Sequence, residues 1–239
     1  MLVNQLLRNP HVQPGSPAPL QAIGLSGTVV GVLANDPAVL ASLGDAVHLP
    51  PYKAPPKAPV LFLKPRNTLA CSGAAVAVPA DAGELEIGAS IGLVVGRTAC
   101  RVSQATALSH LAGFIAVADL SVPHSSFYRP GLRFKARDGS CVLGPDITPL
   151  EAVASPDALM LRVWVDDACV QSGSTTGMLR PAAQLLADVT AFMTLRPGDV
   201  LMLGALNGAP RARVGQRFAV EIDGMARLEG RLVAEGGPA

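Results

Sequence analysis

Short apolar runs bounded by turn-forming residues dominate the chain and predict strands rather than helices. Such runs are typical of buried or half-buried strands, and they occupy residues 27–34, 59–64, 90–96, 113–119 and 159–167. Near the C-terminus, residues 217–223 alternate apolar and polar side chains. Asp223-Gly224 then predicts a tight turn into a further strand at 226–234, which would complete a hairpin.

Apolar positions spaced by three and four residues predict two helices. The first covers about 103–111, with Ser103 as its N-cap. The second covers 181–193 and has Pro181 in its first turn. Its predicted buried face consists of Leu185, Leu186, Val189, Phe192 and Met193. Because strands outnumber helices, the pattern predicts a β-rich α+β fold.

The composition of the 239 residues restricts the classes of function. With 49% hydrophobic and 15% charged residues, the chain can bury a large core and favours one domain. We expect no membrane span and no secretory signal, because no apolar run reaches the ~18 residues of a spanning helix. A net charge of +1, with Lys and Arg spread along the chain, predicts no nucleic-acid partner. The four cysteines lie far apart without a C-x-x-C motif, which favours free thiols in the cytoplasm.

Two carboxylates stand in a Glu-x-Glu arrangement, Glu84 and Glu86, just ahead of the predicted strand at 90–96. Alternate strand residues share a face, so both side chains could converge on one divalent cation. They could equally form a solvated strand entrance. The pattern alone leaves both interpretations open.

Several segments follow one another in a specific order: FLKPRNT (62–68), GLVVGR (92–97), HLAGFIAVADLS (110–121), FKARDGSCVLGP (134–145), QSGSTTGM (171–178) and FMTLRPGDVLMLG (192–204). From about residue 28 to the end, this succession resembles the fumarylacetoacetate hydrolase superfamily. PPYKAPPKAPVLFLKPRNT and SFYRPGLRFKARDG are similar, more narrowly, to the bifunctional isomerase/decarboxylase family of 4-hydroxyphenylacetate degradation, in its N-terminal half or small subunit. The resemblance implies a mixed-sheet β-roll with few helices, as one domain over 28–239 after an N-terminal extension, 1–27.

Metal-binding members of this superfamily hold magnesium or manganese with a Glu-x-Glu pair and a later Asp. Anchored on the Gly-Arg at 96–97, the resemblance places those two glutamates on Gly88 and Ser90. Asp119 alone matches a ligand, and it could instead cap the turn that follows. We therefore expect a divalent cation to be absent or weakly bound.

Glu84 and Glu86 lie four residues before the family's ligand positions. Four residues of strand span about 13 Å, far more than a first-shell bond of roughly 2 Å. By this register the pair is a solvated strand entrance rather than a metal site.

Other family positions have also changed. Catalytic members carry a His-Glu pair on a short lid helix, and Ala38 and Ala41 stand at the matching positions. His48 follows nearby and is interpreted as a loop histidine. The family's Gly-Thr is Gly204-Ala205 here, which removes a hydroxyl that can bind a substrate carboxylate.

At other positions of the family's site, this sequence keeps the matching basic or acidic residues. The resemblance implies Lys135 and Asp119 as catalytic residues, and as substrate-binding residues Lys64, Tyr128, Arg129, Arg137 and Thr175. Lysine can supply a point charge to an enolate oxygen, whereas arginine binds a carboxylate through two hydrogen bonds. The alternative is that Arg129 and Arg137 only solvate a loop.

Three functions follow from this resemblance. The first is a subunit of an isomerase/decarboxylase, a lyase acting on 5-oxopent-3-ene-1,2,5-tricarboxylate and 2-hydroxyhepta-2,4-dienedioate. It would bind a small anionic dicarboxylate or tricarboxylate, and pair with a homologous metal-bearing subunit or with itself. The second is a structural partner that has lost the chemistry. The third is an acylpyruvate-type hydrolase, against which the missing His-Glu base argues.

Overall fold

A computed structural model describes residues 24–25, 28–124 and 131–236. Within these ranges the strands are, in chain order, β1 (Val29–Leu33), β2 (Val60–Lys64), β3 (Leu69–Cys71), β4 (Ala74–Val78), β5 (Glu84–Val95), β6 (Leu111–Ser121), β7 (Cys141–Leu143), β8 (Thr148–Pro149), β9 (Met160–Val165), β10 (Ala168–Ser174), β11 (Val200–Met202), β12 (Arg211–Arg213), β13 (Arg217–Ile222) and β14 (Leu228–Ala234). The α-helices are α1 (Pro37–Leu43), α2 (Gln104–Ala107), α3 (Leu132–Lys135) and α4 (Ala182–Thr190). The predicted β-rich fold with few helices is confirmed.

The strands form two mixed sheets. The larger sheet has the order β2-β1-β11-β5-β6-β7-β3, with β12 added to β5 and β8 added to β6. The smaller sheet has the order β10-β9-β13-β14-β4. Each sheet joins parallel and antiparallel pairs, such as β1 with β11 and β5 with β6 in the larger one. The predicted mixed-sheet architecture is therefore confirmed.

The long hairpin of β5 and β6 divides the molecule into two sides. Residues of β5 and β6 that face the smaller sheet are apolar and belong to the main core, which they share with β9, β13, β14 and α4. The opposite face of the hairpin carries Gly88 and Ser90 on β5, and Val117 and Asp119 on β6. Because side chains alternate along a strand, these residues share one face. That face forms the floor of the candidate site.

A second, smaller apolar cluster supports this floor. It includes Phe62 on β2, with Val29, Val117 and Met202 on neighbouring strands. The Phe62 ring occupies the space where Gly31 has no side chain, since a Cβ there would lie 2.1 Å from the ring. A larger residue at this position would displace the aromatic ring.

The predicted strands agree with the structure in place and type, although their ends differ. The strand predicted at 90–96 extends backwards to Glu84, and the strand predicted at 113–119 grows at both ends into β6. The turn at Asp223-Gly224 is confirmed, since Met225 N–H donates to the Ile222 carbonyl and Gly224 has φ +76°.

Both predicted helices are shorter in the structure than the sequence pattern indicated: α2 covers Gln104–Ala107 and α4 covers Ala182–Thr190. Ser103 occupies the N-cap position of α2, but its hydroxyl contacts the Thr106 hydroxyl instead of a backbone N–H. In α4 the face of Leu185, Leu186 and Val189 is buried as predicted. Phe192 was wrongly placed on that face: α4 ends at Thr190, and Phe192 is 71% exposed. Among the described helices, none has the length and apolar character that crossing a bilayer requires.

Candidate active site

Three charged side chains from separate elements meet at one carboxylate. Asp119 lies near the end of β6, Lys64 ends β2, and Lys135 ends α3. The Lys64 Nζ lies 2.7 Å from Asp119 Oδ1, and the Lys135 Nζ lies 2.8 Å from Asp119 Oδ2. Two cations thus share one anion, and this charge cluster carries one net positive charge.

Lys64 forms the buried end of the charge cluster. Its side chain is 0% exposed, and its Nζ donates to the Lys135 carbonyl at 2.6 Å and to Ser140 Oγ at 3.1 Å. A buried cation is tolerated only when it is paired and hydrogen-bonded in this way. Lys64 does not line the cavity described below. Its contacts support Asp119 and α3, and its predicted contact with substrate stays a prediction.

Lys135 forms the accessible end of the charge cluster. Its side chain is 10% exposed, and its Nζ lies 4.6 Å from the centroid of the Phe62 ring. The ring face attracts the ammonium group and excludes water from one side of it. Lys135 is therefore the cation of the cluster that a bound anion can reach.

Two opposing effects determine the pKa of Asp119. Burial, the largest contribution, raises it, but the charges of Lys135 and Lys64 and their hydrogen bonds outweigh burial. The pKa of Asp119 is consequently lower than the ordinary 3.8, and the carboxylate is ionised near neutral pH. On the adjacent strand, burial raises the pKa of the Cys141 thiol to about 12, so this thiol is protonated.

A cavity of about 300 Å³ opens beside Lys135. Its apolar wall includes Val32, Val39, Phe62, Met202 and Leu206. Its polar lining consists of Glu86, Ser90, Asp119, Ser121, His124, Lys135, Asn207 and Arg211. This volume is at the lower end of the range for small-molecule sites, so the cavity suits a compact ligand.

The donor set at the family's metal position does not fit a divalent cation. Gly88 lies directly opposite Asp119 in the β5–β6 pair and offers no ligand. The Ser90 hydroxyl accepts from Gly204 N–H and donates to the Ile91 carbonyl, and both Asp119 oxygens contact lysines. Within the described ranges no three His, Cys, Asp or Glu side chains converge. Magnesium and manganese need several oxygen ligands and negative charge.

The Glu-x-Glu pair contacts an arginine. Arg211, on β12, lies opposite Glu86 in the sheet and reaches Glu84 Oε1 at 2.9 Å and Glu86 Oε1 at 3.2 Å. Glu86 and Arg211 both line the cavity. Arg213 Nε also lies 3.5 Å from Glu84 Oε2, so two arginines balance the charge of the two glutamates.

Two of the remaining predicted substrate-binding residues, Arg137 and Thr175, are described by the structure, and neither lines the cavity. Arg137 pairs with Glu235, and neither lines the cavity. Thr175 is buried elsewhere, where its hydroxyl donates to the Pro156 carbonyl at 2.8 Å and accepts from Leu159 N–H at 3.0 Å. Tyr128 and Arg129 lie outside the described residues. Contact of these side chains with substrate stays a prediction.

The region of the lid helix is present as α1, but it brings no base to the cavity. Ala38 and Ala41 are exposed on α1, and His48 is exposed at the end of a 3-10 turn over Gly44–His48. Ala205, which replaces the family threonine, lines the cavity with an apolar group.

His124 is a site residue that the sequence analysis missed. Its Nδ1 lies 2.9 Å from the Val122 carbonyl, and its ring stacks on Phe134 with a centroid separation of 5.2 Å and an interplanar angle of 8°. A single histidine after a strand forms no pattern. The only available signal was its place between the end of β6 and the segment FKARDG, which resembles the family.

Comparison with known proteins identifies the family. The fumarylacetoacetate (FAA) hydrolase C-terminal family matches residues 28–233, and the chain belongs to it. The 4-hydroxyphenylacetate degradation bifunctional isomerase/decarboxylase of Salmonella dublin is 37% identical over 211 residues, covering 88% of this chain and 48% of that protein. The chain thus spans about half the length of this curated relative. A mitochondrial oxaloacetate tautomerase of Oryza sativa subsp. japonica is 31% identical over 87% of this chain and 91% of its own length.

Solved structures show the same fold. The 5-carboxymethyl-2-hydroxymuconate delta-isomerase from Mycobacterium smegmatis superposes with a TM-score of 0.76 at 26% identity, covering 90% of this chain and 81% of that chain. The 2-hydroxyhepta-2,4-diene-1,7-dioate isomerase from Mycobacterium marinum gives a TM-score of 0.71 at 25% identity, covering 90% and 77%. Both relatives are named as isomerases of unsaturated organic acids.

Proposed function

We propose that the chain is a subunit of an isomerase/decarboxylase that stabilises the enolate of a small 2-oxo dicarboxylate or tricarboxylate. One observation carries this proposal. Lys64 and Lys135 share the single carboxylate of Asp119, which leaves one net positive charge beside the cavity. An anion that enters the cavity would meet this charge at Lys135.

Isomerisation and decarboxylation need the same electrostatic support. Moving a double bond next to a carbonyl passes through an enolate, and loss of CO₂ from a β-keto acid also leaves an enolate. A fixed cation at the enolate oxygen stabilises both transition states, most strongly in a site that excludes water. Lys135 is partly shielded by Phe62, so its charge is weakly screened. Asp119 and Lys64 hold it in place.

The size and charge of the site support the choice of substrate. A cavity of about 300 Å³ with one accessible lysine suits a short chain that bears carboxylates. The named relatives act in 4-hydroxyphenylacetate degradation, isomerise 2-hydroxyhepta-2,4-diene-1,7-dioate or tautomerise oxaloacetate. Tyr128 and Arg129 are proposed to bind the distal carboxylate. The free thiols of the four cysteines support a reducing, cytoplasmic setting.

We propose that the reaction of this chain does not depend on a divalent cation. The ammonium group of Lys135 would supply the positive charge that a metal supplies in other members. Support comes from Gly88 and Ser90, which offer no carboxylate, and from Asp119, whose oxygens both contact lysines.

A homologous subunit carrying the family's metal ligands is the proposed partner, and a homodimer is the form expected without it. Support comes from Gly88 and Ser90, which offer no carboxylate where the metal-binding members have their ligands. The second candidate function follows from the same residues: a structural partner without chemistry of its own. Gly88, Ser90, Ala38 and Ala41 favour it, whereas the retained Lys135 and cavity favour catalysis.

Oxaloacetate separates these functions, because it can both tautomerise and decarboxylate. The purified chain, treated with a chelator, is mixed with the enol form, and enol absorbance and pyruvate are followed. Faster loss of enol than in buffer, unchanged by the chelator, supports a metal-independent site.

The same assay is repeated after co-expression with a homologous metal-bearing subunit and size-exclusion chromatography. Activity that appears only in the co-eluting complex and disappears with the chelator would assign this chain the structural role.

A further inference from the structure

We infer that Glu86 is the residue that transfers protons to and from carbon in the cavity, an inference that rests on the proposed enolate chemistry. Enolate formation needs a base for the carbon-bound proton and an acid that returns it. The lid positions, Ala38 and Ala41, offer no titratable side chain, and His48 does not line the cavity. In the described part of the chain, a base therefore has to come from another lining element.

Two other proton acceptors that line the described cavity are already committed. The two carboxylate oxygens of Asp119 contact Lys64 and Lys135 at 2.7 and 2.8 Å. The Nδ1 atom of His124 lies 2.9 Å from the Val122 carbonyl, and its Nε2 atom is buried. Neither side chain offers a ligand an open acceptor atom.

Glu86 keeps one carboxylate oxygen uncommitted. Within the described ranges its Oε1 accepts a hydrogen bond from Arg211 Nη2 at 3.2 Å, and its Oε2 accepts none. The Glu86 side chain is 21% exposed and lines the cavity. Because the arginine holds only one oxygen, the contact fixes the orientation of the carboxylate and leaves the other oxygen available for a proton.

The strand register places Glu86 at a suitable distance from the enolate-binding lysine. Glu86 lies two residues before Gly88 on β5, and Gly88 lies opposite Asp119, which holds Lys135. Residues two apart share one face of a strand and are separated by about 7 Å. A substrate whose carbonyl oxygen lies about 2.8 Å from the ammonium group, and whose adjacent carbon lies about 3–3.5 Å from a base, needs a separation of this order.

The proposed step balances as follows. Glu86 Oε2 takes a proton from the carbon next to the substrate carbonyl, and the C–H electron pair becomes a C=C bond. The carbonyl oxygen becomes an enolate beside Lys135. The protonated Glu86 then returns the proton to the same carbon or to the far end of the conjugated system. In decarboxylation the C–C bond breaks, CO₂ leaves, and Glu86 delivers to the remaining carbon a proton that it has taken from solvent.

Hydrogen–deuterium exchange at C3 of oxaloacetate tests this role directly. In D₂O the wild-type chain is expected to accelerate exchange, measured by NMR. Glu86→Gln should lower that acceleration by about 100-fold or more, the usual contribution of a positioned base. The amide can still accept the hydrogen bond from Arg211, so the substitution removes the base and keeps the contact.

Glu84→Gln is the matched control. Glu84 pairs with the same arginine at 2.9 Å, but it does not line the cavity. This variant loses the same charge and should exchange like the wild type. Both variants should bind oxalate, measured by calorimetry, at least as tightly as the wild type, because each removes a negative charge near the anion.

The contradicting outcomes are distinguishable. If the wild type is active and Glu86→Gln exchanges equally fast, or if Glu84→Gln is equally impaired, Glu86 is not the proton-transfer residue, although the proposed function survives. Weaker oxalate binding by Glu86→Gln would also overturn the inference, because the residue would then act on the ligand and not on the proton. If the wild type does not accelerate exchange, the proposed function itself fails, and this inference with it. If Glu86→Gln does not fold, Glu86→Ala is assayed with added formate: recovered exchange supports the role, and no recovery contradicts it.

Discussion

Replacing Lys64 by methionine is expected to destabilise the protein strongly, because it removes a fully buried cation. Methionine keeps most of the volume of the lysine side chain, so packing changes little. What is lost is the 2.7 Å contact with Asp119 and the hydrogen bonds to the Lys135 carbonyl and Ser140 Oγ. These groups cannot turn to water, since the surrounding strands bury them.

The magnitude follows from what remains of the charge cluster. Removing one partner of a buried ion pair typically costs about 3–5 kcal/mol. Asp119 would keep Lys135, so we expect the lower end, about 3 kcal/mol. For a chain of this size, 1 kcal/mol corresponds to about 2–4 °C in melting temperature, so a decrease of roughly 6–12 °C is expected.

Urea unfolding followed by fluorescence provides the assay, because Trp164 is the single tryptophan and lies in β9. Lys57→Met is the control, since Lys57 is exposed, and it should change the free energy of unfolding by less than about 0.5 kcal/mol. If Lys64→Met is equally mild, the conclusion that Lys64 supports the charge cluster is wrong.

Three further predictions concern the metal position, Asp119 and Thr175. Titration of the chelator-treated chain with magnesium or manganese should give no micromolar dissociation constant, because Gly88 and Ser90 supply no carboxylate; a micromolar constant in calorimetry would contradict this. The lowered pKa of Asp119 contributes stability that is present above the ordinary carboxyl pKa of 3.8 and is lost as the pH falls below it through the folded-state pKa. Acid should therefore cost the wild type more unfolding free energy than Asp119→Asn, and parallel pH curves would refute that. Thr175→Val should lose about 1–3 kcal/mol of stability, because two buried backbone groups lose their partner, with unchanged oxalate binding; weaker binding without destabilisation would instead support the predicted substrate contact.

The sequence predicted the long strands because their apolar positions are periodic over many residues. The β5–β6 hairpin is the clearest example, and only its ends were misplaced. Strands of two or three residues, such as β8, β11 and β12, carry too few positions to show a period. Their existence depends on pairing with β5 and β6. Phe192 was misassigned for a related reason: the apolar spacing of α4 continues past Thr190, where the helix ends.

The candidate site could be predicted only in part. Family positions indicated Lys135 and Asp119, which the structure brings together. The predicted contact of Lys64 with substrate stays a prediction, and the complete burial of Lys64, which depends on tertiary pairing with Asp119, could not be predicted. In β2 the usual burial of apolar side chains and exposure of charged ones is reversed: the apolar Leu63 is 54% exposed, whereas the charged Lys64 is buried. Such a conflict between hydrophobicity and position is expected at functional sites. His124 contacts Phe134, ten residues away, and no local pattern reports that contact.

Calorimetric binding of oxalate to Lys135→Met tests most directly the central claim, that Lys135 presents the free positive charge of the cluster to an anionic ligand. Arg133→Met is the matched control, because Arg133 lies on the same helix and its side chain is 76% exposed. We predict that Lys135→Met weakens binding by about 1.5–3 kcal/mol, the contribution of a charge-assisted hydrogen bond, while Arg133→Met binds like the wild type. Equal affinity of Lys135→Met and the wild type would contradict the claim.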